Sequence, residues 1–99
     1  MISFEKILDV FNDDLLNAIG EEVLKTKHGY IALSWDEAQN DYAFGENCKT
    51  PEALLDTLLM SYESYLQLQF TKGLRDLTNE EVLILQEKRN ALYEKCMTA

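Results

Sequence analysis

A single histidine, two isolated cysteines and a crowd of carboxylates are the side chains in this chain that could exchange protons, attack a substrate or hold a metal. His28 would need an orienting carboxylate and a nucleophile beside it to act as a catalytic base. The sequence supplies no such set, and His28-Gly29 reads as the tip of a hairpin. Asp36, Glu37, Asp41 and Glu46 crowd one polar stretch, the grouping that would suggest a divalent cation and a small metal-dependent enzyme. Their spacing departs from the calcium-loop pattern of alternating ligands, a glycine and a closing glutamate, so a solvated acidic turn is expected. Cys48 precedes a helix start, where a thiolate is stabilised, yet no base accompanies it. Cys48 and Cys96 lie far apart without a CxxC or Cys/His grouping, which leaves neither a disulfide framework nor a zinc site. Glycines 20, 29, 45 and 73 are isolated, so no phosphate-binding loop exists. Tyr62 and Tyr65 share the apolar arc of a helix and read as packing residues. With no acid, base and nucleophile set, the expectation is a protein that is not an enzyme and uses no cofactor and no metal.

Charge is the stronger signal. The 99 residues hold 18 Asp and Glu against 9 Lys and Arg, a formal charge of −9. Residues 1 to 70 carry 13 acids and 4 bases, whereas residues 71 to 99 carry 5 of each, so the whole imbalance belongs to the first two-thirds. Glu5, Asp9 and Asp13 recur at four-residue steps, Glu52, Asp56 and Glu63 share a helix face, and Asp36, Glu37 and Asp41 surround a turn. A field of one sign steers an oppositely charged partner and speeds its association; the same acids also serve solubility alone. They repel phosphate backbones, which disfavours direct nucleic-acid binding. The absence of a secretory pattern and of a long apolar run, with cysteines unsuited to a disulfide framework, points to a cytoplasmic protein that engages no membrane. The leading expectation is a non-enzymatic protein-binding module, of inhibitor or immunity type, whose nine named carboxylates face a protein partner with a basic surface.

These side chains must be positioned by elements whose periods are visible. Phe4, Ile7, Leu8, Phe11, Leu15, Ala18 and Ile19 fall within about a third of the circumference of a helix, so one amphipathic helix is expected from Phe4 to Ile19, capped by Ser3 and ended by Gly20. The period then becomes two. Val23 to Lys27, Tyr30 to Asp36 and Asp41 to Glu46 read as a three-stranded antiparallel meander. Thr50-Pro51 opens a second helix, whose Leu54, Leu55, Leu58, Leu59, Tyr62, Tyr65 and Leu66 gather on an arc of roughly 140°, and Lys72-Gly73 ends it. Thr78 and Glu81 form a capping box for a third helix. The expected fold is a single α+β domain over residues 1–99, in the order helix, three strands, helix, helix. The first two helices should pack on one face of the sheet, against Ile31, Leu33, Trp35, Tyr42 and Phe44, with the third extending or covering that layer.

The third helix supports a second functional expectation. Arg89 falls within the stripe of Val82, Leu85, Leu92 and Cys96, where a guanidinium must reach past its neighbours to water or meet a carboxylate within or between subunits. Leu83 and Ile84 make the back of this helix partly apolar, so Leu83, Ile84 and Arg89 are candidates for a homodimer interface. The order helix, three-stranded meander, helix resembles the double-stranded RNA-binding domain in topology alone. That family's lysine-rich helix start corresponds here to Thr50-Pro51-Glu52-Ala53, with no lysine after it until Lys72, so neither RNA binding nor membership is carried over.

Overall fold

Capping side chains decide where the helices begin. In the computed structural model, which describes residues 2–97, Ser3 Oγ accepts from the Lys6 N–H at 3.1 Å and starts α1 (Phe4–Val10). The single helix expected to reach Ile19 is instead two. Asn12 Oδ1 accepts from the Leu15 N–H at 3.0 Å and starts α2 (Asp13–Ile19). Asn12-Asp13-Asp14 is a cap followed by two acids in the first turn, where the positive end of the helix dipole favours them. The break at Phe11 re-aims the apolar stripe, so Ile7 and Phe11 before it and Leu16 after it all reach the core. Gly20, at φ 72°, closes α2 in the left-handed conformation.

The meander comprises β1 (Glu21–Thr26), β2 (Gly29–Asp36) and β3 (Asp41–Cys48), paired antiparallel in that order. Its ladder is longer than the alternation predicts: Glu21 pairs with Ser34, and Tyr30 pairs with Cys48. At Gly29, φ is 119° and a Cβ would lie 2.7 Å from the Cys48 carbonyl oxygen, so only glycine fits the hairpin. The register shifts between Ser34, which pairs with Phe44, and Trp35, which pairs with Tyr42. Ala43 is therefore an extra residue on β3, a bulge that bends this strand.

Thr50 Oγ1 accepts from the Ala53 N–H at 3.2 Å to start α3 (Pro51–Thr71), and Lys72 ends it at φ 58°. At the start of α4 (Asn79–Met97), Thr78 Oγ1 accepts from the Glu81 N–H at 3.1 Å while Glu81 Oε1 accepts from the Thr78 N–H at 3.0 Å. Arg75 adds a fork of 2.7 and 2.9 Å onto the two Glu81 oxygens. The hydrogen bond from Arg75, followed by that from the Thr78 backbone, holds the Glu81 carboxyl at about 2 against an ordinary 4.5. A depressed folded-state value places this group's stabilisation above pH 4.5 and removes it as pH falls through about 2. Carboxyl-carbon NMR should show a Glu81 midpoint near 2, moving upward in Arg75→Ala; an unchanged midpoint in that variant would contradict the fork.

The helices cover one side of the sheet. α2 packs on β1, α3 lies across β2 and β3, and α1 sits against α3 and α4. Leu54, Leu55, Leu58 and Leu59 of α3 meet Ile7, Phe11, Ala32 and Cys48 in the core, and α4 contributes Cys96. The molecule measures 42 × 37 × 19 Å. Its smallest dimension accommodates one sheet and one helical layer at the roughly 10 Å spacing of packed elements.

The strand face turned to the helices is the reverse of the one expected. Ala32 is 1% exposed; Tyr30 stacks at 4.4 Å on Phe4 of α1; Ser34 shares a carboxylate with Ser61 of α3. Ile31, Leu33, Trp35 and Tyr42 therefore occupy the outer face. Phe44 lies on the helix side by register but is 54% exposed. The leucines of α3 already fill the space above the sheet, and the close approach they make suits a strand that offers alanine and serine rather than a second row of large side chains.

Candidate protein-binding surface

Strand alternation places Leu24 of β1, Ile31, Leu33 and Trp35 of β2, and Tyr42 of β3 on the uncovered side of the sheet. Leu24, Trp35 and Tyr42 are 47%, 41% and 43% exposed, and Ile31 and Leu33 are half-buried. Gly45 opposes Leu33, whose Cδ2 lies 3.0 Å from where a Cβ would sit; the missing side chain lets leucine lie over β3. Trp35 and Tyr42 meet edge to face at 5.0 Å, and the Tyr42 hydroxyl donates to Glu22 Oε2 at 2.6 Å across β2. That bond raises the phenol above its usual value. The outer face is thus an apolar, aromatic patch with acids towards one end, Glu22 on β1 and Asp36, Glu37 and Asp41 at the β2–β3 turn, and Lys27 at the β1–β2 turn at the other. Such contiguous patches with a polar rim are characteristic of interaction sites.

The nine acidic candidates do not merge into one surface. Asp36, Glu37 and Asp41 cluster at the turn, where Asp36 Oδ1 accepts from the Ala38 N–H and Asp41 Oδ1 from the Tyr42 N–H. Glu52, Asp56 and Glu63 fall within about 40° of one another around α3, but on the side turned to α4. Glu52 and Asp56 flank a small hollow with Tyr93 and Met97 of α4, and Glu63 Oε1 pairs with Arg89 Nε at 2.5 Å. Arg89 therefore meets a carboxylate within its own chain. Glu5 and Asp9 project from α1 and Asp13 from α2, all exposed. Leu83 is exposed and Ile84 half-buried on α4.

At the end of the sheet where β1 begins and β2 finishes, a groove of about 620 Å³ opens between α2, the strands and α3. Its floor carries Glu21, only 8% exposed. Glu21 Oε1 accepts from Ser34 Oγ at 2.9 Å and from Ser61 Oγ of α3. Trp35 forms one wall, Met60, Tyr65 and Leu68 another, and Glu37 stands at the margin. A second hollow of about 370 Å³ shares Glu21, Trp35 and Glu37 and continues past Glu22 towards the outer face. Glu21 and Trp35 were not among the expected site residues. Carrying the β1 alternation back from Val23 places Glu21 on the inner face, but its two serine partners lie 13 and 40 residues away in the chain.

The remaining chemical candidates lie on separate elements and a turn. His28 is exposed at the β1–β2 turn, where its backbone N–H donates to Thr26 Oγ1. Cys48 and Cys96 are buried and free, and burial pushes both thiols above their usual values. Among the described residues, no three His, Cys, Asp or Glu side chains converge to hold a metal ion, and no helix is long and apolar enough to cross a membrane. No family model, curated protein or solved structure matches the chain.

Proposed function

We propose that this protein is a non-enzymatic binding module, of inhibitor or immunity type, that engages the basic surface of a protein partner. The observation that supports this reading is the uncovered sheet face, where Leu24, Trp35 and Tyr42 form an apolar centre beside Glu22 and the acids of the β2–β3 turn. Apolar area supplies most of the affinity in such a contact, and the charged rim supplies approach rate and discrimination. The turn acids, rather than the α3 acids directed at α4, are the carboxylates that adjoin this patch. The acids of the β2–β3 turn favour a partner rich in lysine and arginine.

Affinity capture from a lysate of the source organism, followed by mass spectrometry at low and high salt, tests the proposal. The expected result is one stoichiometric basic partner, captured in lower yield at high salt because exposed charges are screened beyond a Debye length of about 10 Å at 0.1 M, and lost in the Leu24→Lys, Asp41→Lys double variant. Recovery of the protein alone as a salt-insensitive dimer, dissociated by Leu83→Glu with Ile84→Glu, would overturn it in favour of self-association through α4.

A further inference from the structure

The groove at the sheet end contains a carboxylate whose surroundings are unusual. Both hydroxyls that reach Glu21 bond to the same oxygen, Oε1, and Oε2 accepts from no described residue. No buried side-chain oxygen among the described residues lacks a hydrogen-bond partner, so Oε2 must reach solvent, and the groove that Glu21 floors is its outlet. None of the described residues lining the groove or the adjoining hollow is basic. An ionised carboxylate in a largely buried residue ordinarily has a cationic partner or a full set of donors; Glu21 has two neutral donors on one oxygen and an open second oxygen. Glu37 adds negative charge at the margin, and Trp35 and Tyr65 put aromatic residues, which attract cations, in the lining.

We infer that this groove receives an arginine or lysine side chain from the basic partner, its stem lying along Met60 and Leu68 and its cationic head donating to Glu21 Oε2. Three properties select this ligand class. The carboxylates do not converge as metal ligands do, so an organic cation fits better than a metal ion. The wall is apolar and aromatic, which suits a cation on a hydrocarbon stem and not a compact hydrated ion. The volume, about 620 Å³, exceeds a single side chain and leaves room for the backbone that carries it. Because Trp35 also belongs to the outer sheet face and Glu37 to its acidic end, the groove extends that face instead of standing apart from it. The inference rests on the proposed binding of a basic protein and supplies its anchor.

Trp35 is the only tryptophan in the chain and reports on its own wall of the groove. A capped tetrapeptide with one central arginine, its citrulline counterpart, and the free alkylguanidine agmatine are titrated against the full chain, following Trp35 fluorescence and amide shifts in two-dimensional NMR. The arginine peptide should saturate with millimolar affinity, displacing the Trp35 indole and Ser61 amide signals. Citrulline should weaken binding at least tenfold. Glu21→Gln, which keeps acceptors for both serines, should do the same, and Glu37→Gln at the exposed margin should weaken it several-fold with no effect on folding. Equal binding of the citrulline peptide, or an unmoved Trp35 signal, overturns the inference. Agmatine binding as tightly as the peptide overturns the protein anchor and assigns the groove to a small amine. If Glu21→Gln still captures the salt-sensitive partner at full yield, the anchor is refuted while the partner reading stands; if the wild-type chain captures no basic partner, that reading fails whatever the peptide does.

Discussion

Phe11→Ala is expected to lower the free energy of unfolding by about 3–5 kcal/mol, the range for removing a fully buried aromatic ring. Small domains have only about 5–15 kcal/mol in total, so this one change should bring the protein close to its folding threshold. Phe11 is completely buried at the junction of α1 and α2. Its N–H donates to the Ile7 carbonyl at 2.7 Å, a bond alanine retains, so the loss isolates the ring and the cavity it leaves. Urea unfolding followed by circular dichroism measures it. Phe44→Ala provides the contrast: that ring is about half exposed on β3, and its removal should cost less than about 1 kcal/mol. Similar losses for the two variants would mean that the break after α1 does not direct Phe11 into the core.

The second large effect concerns which side of the sheet the helices cover. Ala32→Leu adds three carbons where α3 already presses on the strand, and overpacking of this kind costs about 1–3 kcal/mol. At about 4–8 °C per kcal/mol for a domain of this size, the melting temperature should fall by roughly 5–20 °C. Leu24→Thr, on the outer face, should change stability by no more than about 0.5 kcal/mol, as exposed substitutions usually do. Differential scanning calorimetry of the pair decides the matter. If Leu24→Thr proves the more damaging, the large side chains of the outer face are packed and the sheet is the other way round.

That reversal defines the limit of what could be read from the chain. The alternation of Tyr30 to Asp36 marks two faces unambiguously, because side chains on a strand alternate with period two. It does not say which face meets the helices. The usual guide, larger apolar side chains inward, fails here because four leucines of α3 fill the interior and Ala32 is what fits beneath them. Caps at Ser3, Thr50 and Thr78 were legible because each depends on residues within four positions. Asn12 is equally local, yet it sits inside an apolar pattern that continues across it at helical spacing and conceals the break. The acidic residues were legible one by one. Their arrangement was not, since Glu63 turns to Arg89 only once α4 has folded back on α3, and Glu21, which the hairpin pairs with Ser34, acquires its second serine partner only when α3 crosses the sheet.

The bulge at Ala43 has a consequence for the fate of the protein in a crowded solution. β3 is exposed along seven of its eight residues and lies at the margin of the sheet, so the outward half of its backbone hydrogen-bonding groups is unpaired. A straight free margin of this kind is a template on which like chains stack into fibrils. The extra residue interrupts the even spacing that such stacking requires, and Asp41 at the start of the strand and Glu46 within its second half place negative charge where an identical strand laid alongside would be repelled. A chain that leaves one face of its sheet uncovered thereby denies its neighbours a ladder on which to grow.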